Sequence, residues 1–152
     1  MTTTRLLGLG LGLGLWLLLA LPAAAQQGRP GGHFIDNWDL DGDGAVSEAE
    51  IESKRDALFT MFDMDGNGLL DSAEWTLFEE TRKEDMAANL RGEPRGAMLG
   101  LEQGFAHDLN DVDGDGAVSR AEFADRAPDA FTRMDIDGDG VVTSADFGPG
   151  KG

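Results

Sequence analysis

The sequence predicts an all-α chain in which amphipathic helices alternate with short acidic loops. Three observations carry that expectation. A 12-residue pattern recurs four times: DLDGDGAVSEAE from Asp39, DMDGNGLLDSAE from Asp63, DVDGDGAVSRAE from Asp111 and DIDGDGVVTSAD from Asp135. Between the repeats, apolar residues return at three- and four-residue steps, the period of one helix face. The charge is also placed: of 29 acidic residues in a chain of formal charge −17, sixteen fall at positions 1, 3, 5, 9 and 12 of the repeats.

That placement narrows the chemistry. A strongly acidic chain argues against nucleic acid and anionic membrane surfaces, which need clustered Lys and Arg. With no cysteine, disulfides, thiolate metal sites and cysteine nucleophiles are excluded. What remains is oxygen. The first three repeats satisfy D-x-[DN]-x-[DN]-G-x₅-E in full, and the fourth departs only at its last position, Asp146. At residue frequencies of about 5–7%, one such match arises by chance at roughly one start in 10⁵–10⁶. Four in one chain are a repeat with a purpose.

A hard divalent cation such as calcium takes about six to eight oxygen ligands. Loop one offers Asp39, Asp41, Asp43, the Ala45 carbonyl, Ser47 directly or through water, and both oxygens of Glu50. Loop two offers Asp63, Asp65, Asn67, the Leu69 carbonyl, Asp71 and Glu74. Loop three offers Asp111, Asp113, Asp115, the Ala117 carbonyl, Ser119 and Glu122. Loop four offers Asp135, Asp137, Asp139, the Val141 carbonyl, Thr143 and Asp146. The glycine at position six (Gly44, Gly68, Gly116, Gly140) makes the sharp turn around the ion. Because Asp146 is one methylene shorter than Glu, the fourth site is expected to hold calcium more weakly and to tolerate magnesium.

The elements follow in order. Position eight is apolar in every loop (Val46, Leu70, Val118, Val142), which predicts short strands pairing one loop with another. Position thirteen is apolar as well (Ile51, Trp75, Phe123, Phe147) and begins the buried stripe after each loop. A short entry near 34–38 leads into loop one. A helix over 48–62 turns Phe59 and Phe62 to the core, and one over 72–91 carries Trp75, Phe78, Met86 and Leu90 on one side. After a turn at 92–96, a helix over 97–109 runs through Met98, Leu101, Phe105 and Leu109, weakened by Gly100 and Gly104. The 120–134 segment contains Pro128, which should break it. Phe131 and Met134 repeat the Phe59/Phe62 spacing, and Gly148-Pro149-Gly150 stops any helix after loop four.

These loops resemble those of the EF-hand family. The resemblance implies helix–loop–helix calcium sites in two closely spaced pairs joined by short β contacts, and calcium as the bound ion. The chain looks like the secreted bacterial members of that family rather than calmodulin itself, whose loops within a pair stand about a dozen residues further apart. It departs from the family at Asn110, where an apolar residue is usual before a loop. Grouped by sequence spacing, the segments are 33–91 as pair one and 97–147 as pair two. Only twelve residues, 51–62, separate the first two loops. The helix between them holds those loops about 20 Å apart at 1.5 Å per residue. Loop two with three, and one with four, are then better matched than sequence neighbours. Pro128 leaves open a fold-back of loop three onto four.

Arg5, the apolar run from Leu6 to Leu21, and Pro22-Ala23-Ala24-Ala25 read as a secretory signal over 1–25, cut before Gln26. The rival reading is a retained anchor, since Leu6–Ala25 has about the length of a bilayer crossing. The expectation is therefore a secreted or periplasmic protein, with a flexible segment at 26–32 and tail at 148–152, and no stable membrane insertion after cleavage. No phosphate-cradling glycine loop or nucleophile elbow is present in the sequence, so calcium binding rather than catalysis is expected. Its role is that of sensor or buffer with metal-coupled folding, or of a dockerin-like structural module. A protein partner engaged in a calcium-dependent manner belongs to the first of these. His33 and His107 read as incidental, and the methionines at 61, 64, 86, 98 and 134 as core filling before groove lining.

Overall fold

The computed structural model describes residues 29–90 and 94–148. The expected leader, the start of the 92–96 turn and the tail beyond Gly148 lie outside those residues. Seven helices are present among the described residues: α1 Gly32–Trp38, α2 Glu48–Phe62, α3 Ser72–Asn89, α4 Ala97–Gly104, α5 His107–Asn110, α6 Arg120–Asp125 and α7 Ala127–Met134. The strands β1, Leu69–Leu70, and β2, Val118–Ser119, are two residues each.

Loops pair across the chain. β1 of loop two runs antiparallel to β2 of loop three, with Leu70 opposite Val118 and Leu69 opposite Ser119. Loop one meets loop four through Val46 and Val142, which exchange two backbone bonds of 2.9 and 2.8 Å. The segments 33–91 and 97–147 are therefore not the pairing units, because each supplies one loop to each pair. The cause is α2. At fifteen residues it is about 22 Å long, so loops one and two sit at its opposite ends. All four position-eight residues are at 0–1% exposure, as their apolar character requires.

The core is aromatic. Phe59, Phe62, Trp75, Phe78, Phe105 and Phe123 are all buried. Their rings stand close together, with Phe78 and Phe105 at 5.3 Å and Phe59 and Phe123 at 5.9 Å. Edge-on and offset contacts of this kind add about 0.5–1.5 kcal/mol per pair beyond area burial. A second cluster joins α1 to the residue that follows loop four, with Phe34 5.0 Å from Trp38 and 5.3 Å from Phe147. The 26–32 segment is thus tied down at its end: Gly32 opens α1, and Gly31 lies under the Phe147 ring at φ +69°, leaving no room for a side chain.

Two helices differ from the sequence expectation. The 97–109 helix is two, α4 and α5, because Phe105 turns inward and Ala106 is extended. The break resets the helical phase, so Leu109 is exposed rather than in the core. The 120–134 segment does break, at Arg126, with Pro128 in the first turn of α7 where a missing N–H costs nothing. Met134 is core, whereas Met61 and Met64 are exposed.

Gly100 and Gly104, which weaken α4 locally, are what lets it lie against α7. A Cβ at Gly100 would overlap the Arg133 carbonyl, and one at Gly104 would come within 3.2 Å of the Ala130 methyl. Helix propensity predicts that Gly100→Ala stabilises by up to about 1 kcal/mol. The packing predicts the reverse, a loss of about 1–3 kcal/mol, whereas Gly32→Ala, with only Arg29 Cβ at 3.7 Å, stays within about 1 kcal/mol of the parent. Urea midpoints of the two variants check this.

Candidate metal centre

Each loop begins with an aspartate that gathers backbone N–H groups. In loop one, Asp39 Oδ1 accepts from Gly42 N at 2.6 Å and Asp43 N at 3.2 Å, and Oδ2 accepts from Gly44 N at 2.8 Å. Asp111 and Asp135 repeat the arrangement with Gly114 and Gly116, and with Gly138 and Gly140. The turn needs glycine twice. Gly42 and Gly44 have φ of +78° and +90°, and the other three loops show the same left-handed pair, a conformation that a Cβ makes costly. The position-six glycine is legible from the motif. The position-four glycine is equally recurrent in all four repeats, but the motif leaves that position free, and the structure supplies its reason.

The closing acid at position twelve spans the loop. Glu122 Oε1 accepts from Val112 N at 2.8 Å and Asp113 N at 3.2 Å. Its Oε2 accepts from Ser119 N at 2.8 Å and Ser119 Oγ at 2.7 Å. Glu50 and Glu74 bridge their loops in the same way. In all three loops the acid is also the third residue of the exit helix, and it completes a capping box with Ser47, Asp71 or Ser119. One carboxylate therefore starts the helix and closes the loop.

Loop four has no exit helix, yet Asp146 bridges it too, accepting from Ile136 N at 2.9 Å and Thr143 N at 2.8 Å. The shorter arm reaches because residues 144–147 form a turn instead of a helix. That turn also lets the Asp146 carbonyl accept from Ala97 N at 2.9 Å, anchoring the start of α4.

The structure converges three carboxylates in each loop, with ligand atoms within 4.8 Å of one another. These are Asp39, Asp41 and Asp43; Asp63, Asp65 and Glu74; Asp111, Asp113 and Glu122; and Asp135, Asp137 and Asp146. Positions one, three and twelve meet in loops two to four, and positions one, three and five in loop one. Glu50, Asp115 and Asp139 stand outside those groups, each turned to backbone N–H partners. Asn67 donates to Asp65 Oδ2 at 2.9 Å, and Asp71 caps α3. Three like charges this close repel unless protonated or bridged by a cation. Asp63 Oδ1 is buried with no hydrogen-bond partner, an orphaned acceptor of the kind a cation suits. The donors are all oxygen, which suits calcium and excludes soft metals.

A family model described as EF hand matches residues 55–78, 111–125 and 129–148, which hold loops two, three and four. Over those stretches the chain is similar to the EF-hand family. Loop one lies outside the matched stretches and carries the same motif and the same bonds. No curated protein matches the chain.

Asn110, an irregularity in the sequence, has a partner that no local pattern marks. Arg55 and Asn110 are both at 0% exposure and bond to each other at 2.6 Å. Burial lowers Arg55 to about 10, so it remains charged at neutral pH. The signal for this pair was the misplaced Asn110 itself, since a polar residue in an apolar slot needs a buried partner.

Hydrogen bonds set the protonation of two closing acids, Glu122 and Glu50. Bonds from Ser119, its backbone first and its hydroxyl next, outweigh burial and, with Val112 and Asp113, hold Glu122 at about 2. In Glu50, burial opposes ionisation, but bonds from Ser47, Leu40 and Asp41 prevail and lower it. An unfolded Glu122 takes a proton near 4.5, the folded one only near 2. Its contribution to the metal-free fold is thus complete above 4.5 and lost as pH falls to 2. Acid titration of Glu122→Gln, followed by circular dichroism, should show a shallower loss across that window than the parent.

Proposed function

We propose that the chain is an exported calcium-binding protein in which four ions are part of the folded structure. The observation that carries this is the convergence of three carboxylates in each of four loops with an unsatisfied oxygen, Asp63 Oδ1, among them. Metal-free, the loops are regions of mutual repulsion joined pairwise through β1–β2 and Val46–Val142. Calcium reverses the sign of that interaction, so its binding energy becomes folding energy. The remaining ligands are Ala45, Leu69, Ala117 and Val141 through their carbonyls, with Ser47, Asn67, Asp71, Ser119 and Thr143 filling positions between the acids. Export rests on the 1–25 segment with cleavage before Gln26, and places the protein in the periplasm or the medium.

Interleaved pairing favours a buffer or structural role. Both loops of each pair come from distant parts of the chain, so no two-loop lobe can swing away as a unit. One observation favours the sensor reading: an open cleft of about 1230 Å³, lined in part by Phe34, Leu58, Met61, Met86, Met98 and Leu101, could present an apolar face to a protein partner. Calcium-dependent fluorescence of a hydrophobic dye supports the sensor, and its absence the buffer.

Calcium at one hundred times its dissociation constant stabilises by about 2.7 kcal/mol per site. Melting of the 26–152 protein should therefore rise by well over 10 °C between chelator and saturating calcium. Identical melting curves would rule out metal-coupled folding. In calorimetric competition, magnesium should displace calcium first at one site, loop four, and Asp146→Glu should abolish that early step.

A further inference from the structure

The helix entering loop three is the shortest among the described residues. α5 has four residues, against seven, fifteen and eight for α1, α2 and α7, which enter loops one, two and four. The residue before each of those three loops is apolar (Trp38, Phe62, Met134) and packs in or against the core. Before loop three it is Asn110. A single helical turn cannot hold its own geometry in water, so something else must fix where Asp111 begins.

Arg55, from the middle of α2, reaches both ends of that loop. Its Nη2 donates to Asn110 Oδ1 at 2.6 Å, one residue before Asp111. Its Nε and Nη2 donate to the Phe123 carbonyl at 2.9 and 2.8 Å, one residue after Glu122. Nη1 makes a longer bond of 3.5 Å to the Gly104 carbonyl at the end of α4. Asn110 completes the network by donating to Gly104 O at 3.1 Å and Ala106 O at 2.8 Å. The guanidinium lies 4.0 Å from the Phe123 ring centre and 4.9 Å from that of Phe105. The planar fork makes this possible: its edges hold N–H donors in fixed directions while its face stacks on a ring, and an ammonium has no such face.

We propose that Arg55 is a positioning residue for the third metal loop, fixing Asp111 and Glu122 at the separation the ion requires through Asn110 and Phe123. The proposal rests on the calcium reading above. None of the hydrogen bonds the guanidinium makes is to a carboxylate, so its contribution to the loop is geometric.

The test resolves each loop separately. Calcium titration of the 26–152 protein is followed by NMR at the position-six amides of Gly44, Gly68, Gly116 and Gly140. Loss of a residue that orients a metal ligand costs about 10–100-fold in affinity. Arg55→Met should raise the Gly116 midpoint by about that factor, while the Gly44 and Gly140 midpoints move by less than about threefold. In metal-free protein, hydrogen exchange of the Gly114 and Gly116 amides, which Asp111 holds, should accelerate ahead of the corresponding amides in loop four. Asn110→Ala, which leaves the bonds to Phe123 intact, should act in the same direction with a smaller factor, and it decides the question if Arg55→Met fails to fold. An unchanged Gly116 midpoint, or equal shifts in all four loops, overturns the positioning role. A parent protein in which no glycine responds to calcium overturns the calcium reading itself, and with it this one.

Discussion

The shared helix α2 is the constraint from which the rest of the architecture descends. It leaves loop one and enters loop two, so fifteen helical residues stand between two loops that would otherwise be neighbours. Each of those loops still presents an apolar position-eight residue that must be covered, and backbone groups that must be paired. The available partners are the loops of the second half, brought round by α3 and α4. Cross-pairing then sets α2 against α6 and α7, closes the aromatic core around Phe59 and Phe123, and draws Phe147 back onto Phe34. Arg120 reinforces the contact from the other side, stacking on Phe59 at 4.6 Å and pairing with Asp56 of α2.

Within that frame, the loops resolve a conflict between geometry and charge. Wrapping twelve residues around a point requires N–H groups to face inward, and aspartates at position one accept them. The same oxygens, crowded by positions three and five or twelve, repel one another. In loops one and three, the bonds that Glu50 and Glu122 accept also keep those two closing carboxylates ionised at lower pH. The fold thus gathers three carboxylates in each loop into a group that could hold a cation.

Much of this was legible in the residues. The repeat gave the loops, the left-handed glycines at position six, the strand residues and the exit helices, because each is a local consequence of side-chain type and spacing. Pro128 gave the break before α7. Less was legible where distant residues compete. Gly100 and Gly104 read as flaws in a helix and are instead the contact surface between α4 and α7. The continuous 97–109 stripe concealed a break at Phe105, since a periodic pattern cannot report a side chain drawn out of phase by the core. Asn110 read as an irregularity, and its partner lies 55 residues away.

The sequence by itself determined that there are four oxygen-rich loops, what each can bind, and that the helix between loops one and two keeps them apart. These follow from covalent spacing and ligand chemistry, which do not depend on what lies across the core. Only the tertiary structure decided which loop meets which, that Asp146 closes its loop from a turn rather than a helix, and that a buried arginine fixes both ends of loop three. Those outcomes depend on which distant surfaces bury together, and no local pattern encodes a contact between residues that share only a core.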